Sequence, residues 1–530
     1  MNSRLAEVNA PFVRSLHQAE GCRPASLIRL IGNGLLVAVC LLLAACEYAA
    51  VEDDDVIRMV LVQAPATLDP RYATDAISSR ICRLLYRGLV DFDAQLLPTA
   101  DLATWQEIDP LHYRFTLIDE LPLFTNGAQL TSADVVATFA SVLREDSISP
   151  QRSGLAVIER FEAVDERVID FYLNHADPLF PGRLTLSILP AESAHRSRLD
   201  TDQLIGNGAF ELLGWPEPER VVLQRRADGQ QVELIRVADA TVRALKLIRG
   251  EIDLLQNDLP AEMITWLQQQ PGVRIEQAPG SNYAYLGFNL DDPVSGDPRI
   301  REAVMLAIDR QEIIDALLGG SARMAESILP PDHWAGGRSI PSTEYDPARA
   351  AELVAEFRAD GGDPTLTYKA STDALRLRIA AVIQQQLKAV GINVNIESHE
   401  WGTFYGDIKA GRFQLFSLSW VGIKMPDIFR YLFHSSAVPP QGANRGRFSD
   451  EAVDRLIVAA EAAPIGEQGR FYNELQQLLA VERPYVSLWY EDHTLVTRDS
   501  ISGYRLSRDG NYDGLMTVQK GQANTAPVAE

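Results

Sequence analysis

From Val56 onward the apolar positions of the chain switch repeatedly between two periods. "VIRMVLV" at 56–62 is a compact apolar run. "HYRFTLI" at 112–118 alternates Tyr113, Phe115 and Leu117 with polar partners, so both segments predict strands. "LTSADVVATFASVL" opens on Thr131-x-x-Asp134, the spacing of a capping box, and then places Val135, Val136, Phe139 and Leu143 on one helical face. Asp297-Pro298 and Asp346-Pro347 each read as an N-cap followed by proline at the first helical position. Asp309-x-x-Glu312 starts a further helix, and Gly319-Gly320 stops it. In "LRIAAVIQQQLKAVGINVNIE" Ile379, Val382, Ile383, Leu387 and Val390 form a helical stripe. Gly391 ends it, and Ile392, Val394 and Ile396 alternate as a strand. Helix then strand, repeated, predicts an α/β fold. Residues 56–520 contain no internal repeat, low-complexity tract or long linker, and the last ten residues read as a frayed tail.

The beginning of the chain follows other rules. Residues 1–29 are polar and carry Arg14, Arg23 and Arg29, and an apolar run then ends in Leu43-Ala44-Ala45-Cys46. A basic flank, an apolar core and small residues before a cut make a secretory signal over 1–45. The uninterrupted apolar stretch Leu35–Ala45 is too short to span a bilayer. Leu-Ala-Ala-Cys also matches the lipobox of bacterial lipoproteins, which makes Cys46 the expected lipidation site. It predicts an acidic tether over 46–56 and a lipid-anchored protein on the extracytoplasmic face of the cell envelope.

The 530 residues are 46% hydrophobic and 23% charged, enough apolar surface for large globular lobes. Removing 1–45, which carries four arginines and two glutamates, takes the net charge from −23 to −25. Phosphate backbones would repel that surface, so nucleic acid is not an expected partner. Of the four cysteines only Cys82 lies beyond the leader and the lipobox, so no internal disulfide is expected.

The sequence carries none of the common catalytic motifs. There is no H-E-x-x-H, G-x-S-x-G, P-loop or C-x-x-C, and the eight histidines are scattered, so neither an enzyme nor a cofactor is expected. His333, His399 and His434 read as surface or core residues, and no metal site is assigned.

The order of short segments is more specific. "TLDP" at 67–70, "LYRGLV" at 85–90, "PTADLATW", "YRFTL" and "LFTNGAQLTSADVV" are followed by "GNGAFELLGW" at 206–215, "RGEIDLL" at 249–255 and "LGFNLDDP" at 286–293. Then come "DPRIREAVMLAIDRQEII" at 297–314, "YDPARAAEL" and "LKAVGINVNIE". In that order, over about 56–510, they resemble the family 5 extracytoplasmic solute-binding proteins of ABC transporters, the oligopeptide, dipeptide and nickel-binding type. Most such segments are expected to specify scaffold: Gly127, Gly206 and Gly208 turns, and Arg299, Arg301, Asp309 and Arg310 a solvated or ion-paired helix face.

The resemblance implies a periplasmic-binding-protein-like α/β fold of two lobes with mixed sheets, joined by hinge strands, with a ligand cleft between them. It is of cluster C type, with an extra subdomain in the first lobe at about 78–200. The first lobe would be 57–279 plus 484–530 and the second 280–483, with crossings near "YAYLGFN" and "PYVSLWY". The implied role is capture of peptides or peptide-like solutes by hinge closure, and delivery to an ABC permease and ATPase complex by a monomer. Alternatives left open are a non-peptide ligand (a nickel chelate, or an anionic, opine-like or sugar-like solute) and a solute-sensing lipoprotein without transport.

By the same resemblance Trp420, in "FSLSWVGIKMPDIF" at 416–429, takes the ligand-facing place. Peptide-binding relatives commonly carry an Asp three residues after this Trp, where it holds the peptide's α-ammonium. Here Ile423 stands in that place, followed by Lys424, and the usual acidic-Pro pair is inverted as Pro426-Asp427. An ammonium beside Ile and Lys would lack a counter-charge. Either another carboxylate holds it, with Asp75 beside Thr74 in "ATDAIS" or Asp427 available, or the ligand has no amine and Lys424 meets an anionic group. Further wall candidates are Tyr283 and Tyr285 on one crossing strand and Trp489 and Tyr490 on the other, with alternation expected to turn one of each pair to the cleft. Arg445, in "GANRGRF", is a candidate partner for an anionic group.

Overall fold

The computed structural model describes residues 55–93 and 95–521. The expected signal over 1–45, Cys46 and most of the tether and tail lie outside the described residues. Among those described, no helix is long and apolar enough to cross a membrane.

The expected local elements form where the sequence places them. The Asp134 carboxylate accepts from the Thr131 backbone N–H at 2.8 Å at the start of helix Ser132–Leu143. Asp297, Asp309 and Asp346 cap helices Pro298–Ala307, Arg310–Leu318 and Pro347–Ala359 by accepting from backbone N–H groups. Gly319 and Gly391 end their helices with positive φ, at 60° and 90°.

An 11-stranded mixed sheet organises the chain. At its centre run two long antiparallel strands, Val273–Phe288 and Tyr485–Arg498. One end of this pair joins Leu254–Gln256, Ile57–Leu61 and the meander 210–236. The other joins Leu415–Trp420, then Thr365–Ser371 and Asn393–His399. The pairing register shifts between Ala278 and Asn282 and again between Ala284 and Tyr285, irregularities that bend and twist strands.

Separate apolar cores pack against the two ends. One gathers Ile57, Met59, Ile81, Leu223 and Leu495, while another gathers Leu286, Val304, Leu353, Ile383 and Val486. Residues between Leu89 and Ile188 build a third core under the four-stranded sheet 103–173.

Several segments carried by the family resemblance turn out to be internal braces. In "TLDP" the Asp69 carboxylate pairs with the Arg71 guanidinium at 2.8 Å, and both are almost fully buried. Arg71 also donates to the carbonyls of Ala194 and Arg196, and Asp69 accepts from Leu199 N–H. Gly127 does serve a turn, with φ 84°. Gly206 and Gly208 serve close packing instead: an added Cβ would lie 2.0 Å from the Leu85 carbonyl oxygen and 2.3 Å from that of Leu84. The expected solvated arginine face is likewise split. Arg299 pairs outward with Asp297 and Asp360, but Arg301 and Arg310 are buried and donate to backbone carbonyls of Glu482, Ala325 and Ser487. Buried backbone oxygens need donors, and an arginine fork satisfies two at once.

Candidate ligand-binding cleft

Helix Ala76–Leu85 and the loop after strand Leu415–Trp420 face each other between the two ends of the sheet, with a cavity on either side of them. The inner cavity, of about 880 Å³, meets Ala76, Ile77 and Arg80 of the helix and Val421 of the loop. The outer one, of about 1190 Å³, meets Ser79, Cys82 and Arg83 of the same helix and Gly422, Lys424, Met425 and Asp427 of the same loop. The helical period explains how one helix serves both: 76, 77 and 80 span one sector of its circumference and 79, 82 and 83 the adjoining one.

The loop is clamped at both ends. Lys424 Nζ lies 2.8 Å from the Asp509 carboxylate and over the Phe92 ring, 5.2 Å from its centroid. Asp427 accepts from Arg183 Nη1 at 2.9 Å, and the Arg183 Nε donates to Asp177. Burial alone would raise the Asp509 carboxyl. The Lys424 charge and hydrogen bonds from Lys424, Ser507 and the Asn511 N–H overturn that and hold it well below the usual carboxylate range. Beneath the loop, His333 sits fully buried, its Nδ1 accepting from Ala335 N–H and its Nε2 facing the Lys424 carbonyl at 3.1 Å. Burial lowers its pKa to about 4, so the imidazole is neutral near pH 7.

The floor of the inner cavity comes from the two long strands. Asn282 pairs with Glu491 and Ala284 with Trp489, so Asn282, Glu491 and Trp489 share a face, and all three line the cavity. Glu491 accepts from Ser419 Oγ at 2.9 Å and from Arg376 Nη2 at 3.2 Å. The lining holds six carboxylates against four arginines, an acidic balance around a buried indole. Among the described residues no group of His, Cys, Asp and Glu is placed to hold a metal ion.

The family model for bacterial extracellular solute-binding proteins, family 5 Middle, matches residues 95–439. The chain belongs to this family. Among its relatives, di/tripeptide-binding protein 2 of Pseudomonas aeruginosa is 27% identical, over 88% of this chain and 96% of the relative. The oligopeptide-binding protein AppA of Bacillus subtilis is 24% identical, over 83% and 87%. The solved structure of that AppA with a nonapeptide superposes with a TM-score of 0.73 at 23% identity, over 88% of this chain and 99% of the other. NikZ of Campylobacter jejuni, in complex with Ni(L-His), gives 0.74 at 21%, over 88% and 100%. The fold of this solute-binding protein is therefore the two-lobed α/β type that the sequence predicts.

Within the family fold the expected site residues separate into groups. Asp75, Trp489, Lys424 and Asp427 line the two cavities. Asp75 also caps helix Ala76–Leu85, accepting from Ser78 N–H, and Thr74 before it is exposed outside both cavity linings. Trp420 turns to the opposite face of its strand from the neighbouring Ser419, which touches Glu491. Its ring packs against Tyr431 and lies under the Arg445 guanidinium, 4.9 Å away. Arg445 is buried and donates to the hydroxyls of Tyr285 and Tyr405. Ile423 is buried in that same core.

Tyr283 and Tyr285 do not split between faces: two residues apart in a strand, they share one, and their rings stack 5.9 Å apart inside the core. Trp489 and Tyr490 do split, with Tyr490 donating to the Ser327 carbonyl, away from the cavity. Cys82, the only cysteine among the described residues, is buried, and burial pushes its thiol up. Asp258, Asn282, Arg376, Glu491 and Asp509 went unseen in the sequence. Only Asp258 had a local signal, an Asn-Asp turn pair between a β run and Leu-Pro in "LLQNDLP".

Proposed function

We propose that this family member captures peptides or peptide-like solutes between its two lobes and presents them to an ABC permease and ATPase complex. The observation that carries the reading is the inner cavity. It is large enough for a short peptide, floored by Trp489, and edged by charges of both signs that suit a zwitterion. Relatives named for di/tripeptides and oligopeptides, aligned over most of their length, support the same class. The first lobe is 57–279 plus 484–530, with an extra subdomain at about 78–200, and the second is 280–483. The long strands between them act as the hinge, and the clamped loop 421–427 sets the closed position.

Ligand contacts in the inner cavity are assigned to Asp75 and Trp489, while Lys424 and Asp427 line the outer cavity and clamp the loop between the two. Trp420, Ile423, Tyr283, Tyr285, Tyr490 and Arg445 form the core that holds the loop in place. The protein works without catalysis, as a monomer held at the cell envelope by lipid on Cys46. Metabolic labelling with radioactive palmitate, lost in Cys46→Ser, tests the anchor.

Thermal unfolding with di- to hexapeptides, and with a nickel–histidine mixture, tests the ligand class. A ligand at about 100 times its dissociation constant adds roughly 2.7 kcal/mol. Stabilisation by peptides supports the proposal. A response to nickel–histidine alone, or to nothing offered, overturns it.

A further inference from the structure

The chain after strand Leu254–Gln256 takes two consecutive left-handed residues, Asn257 and Asp258, both at φ 62°. Such positions are strained for non-glycine residues and persist only where the surroundings fix them. The fixing is visible. Asn257 N–H donates to the Thr494 carbonyl at 2.7 Å, and Asn257 Oδ1 accepts from Thr494 N–H at 2.9 Å. Arg243 spends its fork on the carbonyls of Val237, Ala238 and Asp258 itself. The backbone is thus pinned on both sides while the Asp258 side chain projects into the inner cavity.

That carboxylate accepts no hydrogen bond from any described residue. The two nearby guanidiniums do not reach it: Arg243 is spent on carbonyls and Arg80 lies over the Tyr512 ring. The side chain is exposed on the lining of the cavity, and the protein around it pushes its carboxyl up, with Glu491 adding to the effect. A cation entering the cavity would relieve both. A second, independent orphan lines the same space. Asn282 is only 9% exposed, and its Oδ1 has no hydrogen-bond partner. A buried acceptor left unpaired is destabilising, and a bound donor would recover that loss.

We infer that Asp258, with Asn282 Oδ1, is the anchor for the α-ammonium of the bound solute, in place of the acidic residue that Ile423 replaces. The ammonium offers three donors and one positive charge, against one carboxylate and one amide oxygen. The ligand's amine end then lies on the first-lobe wall of the inner cavity, across from Val421, and the loop after Trp420 contributes packing in place of charge. This deepens the peptide reading and rests on it.

The test uses the full chain and calorimetric titration with dialanine, trialanine and Ala-Phe, each with a free and an acetylated N-terminus. The wild type should prefer free amines. Asp258→Asn keeps the shape, and Asn tolerates the left-handed backbone, so folding is retained. It should weaken free peptides about 10–100-fold and abolish the preference over acetylated ones. Asn282→Ala should shift the preference in the same direction by less. If wild type binds free peptides and Asp258→Asn keeps both affinity and preference, the anchor is wrong and the peptide reading stands. If wild type binds none of the six, both fall together. Equal binding of free and acetylated forms by the wild type overturns the anchor alone.

Discussion

Lys424 and Asp509 meet at 2.8 Å although 85 positions separate them in the chain, and their contact fastens the loop 421–427 to the C-terminal segment. Their side chains are 23% and 10% exposed, a setting in which a charge pair contributes more than on an open surface. A double-mutant cycle with Lys424→Met and Asp509→Asn should return a coupling of about 1–3 kcal/mol by thermal unfolding. The Asp509 carboxyl is depressed, so this stabilisation is present above the ordinary carboxylate pKa and is lost only as pH falls through the lower folded value. Hydrogen exchange over 421–427 should quicken in either single mutant. An unchanged exchange rate would show that the pair does not hold the loop.

Asp69→Asn removes the only carboxylate among the described residues that pairs with the nearly buried Arg71 guanidinium, leaving Arg71 charged and without that counter-ion. The expected loss is about 3–5 kcal/mol, read as a lower urea midpoint. A change within 1 kcal/mol would mean water or a rearranged Arg71 replaces the pair.

His333 gives the protein a pH-dependent stability. Its pKa is lowered to about 4 by burial, so the unfolded chain binds the proton more readily than the folded one. Stability therefore rises with pH between about 4 and 6.5 and falls on acidification through that window, by up to roughly 3 kcal/mol. Protonation would also turn Nδ1, the acceptor for Ala335 N–H, into a donor. His333→Gln should lower stability at pH 7 and flatten the slope between pH 6.5 and 4, measured by urea unfolding at a series of pH values.

Gly208→Ala should be among the most damaging small substitutions. The new Cβ would sit 2.3 Å from the Leu84 carbonyl oxygen, a backbone atom that cannot swing away, while Gly208 N–H donates to the Leu85 carbonyl. Overpacking of this kind costs about 1–3 kcal/mol or more. Gly127→Ala, where an added Cβ meets nothing within 4 Å, pays only for its positive φ and should cost about 1–2 kcal/mol. Thermal midpoints of the two variants should separate in that order.

The sequence by itself determined the local elements. Asp297, Asp309 and Asp346 sit where a carboxylate can meet backbone N–H groups within three residues, and Gly319 and Gly391 supply the left-handed step that ends a helix. These interactions close over a few positions, so spacing alone reveals them. It also carried the family and the two-lobed α/β class, through ordered segments some of which encode buried braces such as Asp69–Arg71.

Only the tertiary structure decided the site. Which face of a strand looks into the cleft depends on bulges at Ala278–Asn282 and Ala284–Tyr285, which periodicity does not show. Alternation sets Trp420 and Ser419 on opposite faces, but only the packing decides that Trp420 meets Arg445 while Ser419 turns to Glu491. Asp509 meets Lys424, and Asn282 shares a cavity with Asp258, through contacts between segments far apart in sequence. A charge or an unpaired amide gains its chemical meaning from what surrounds it, and folding alone assembles those surroundings.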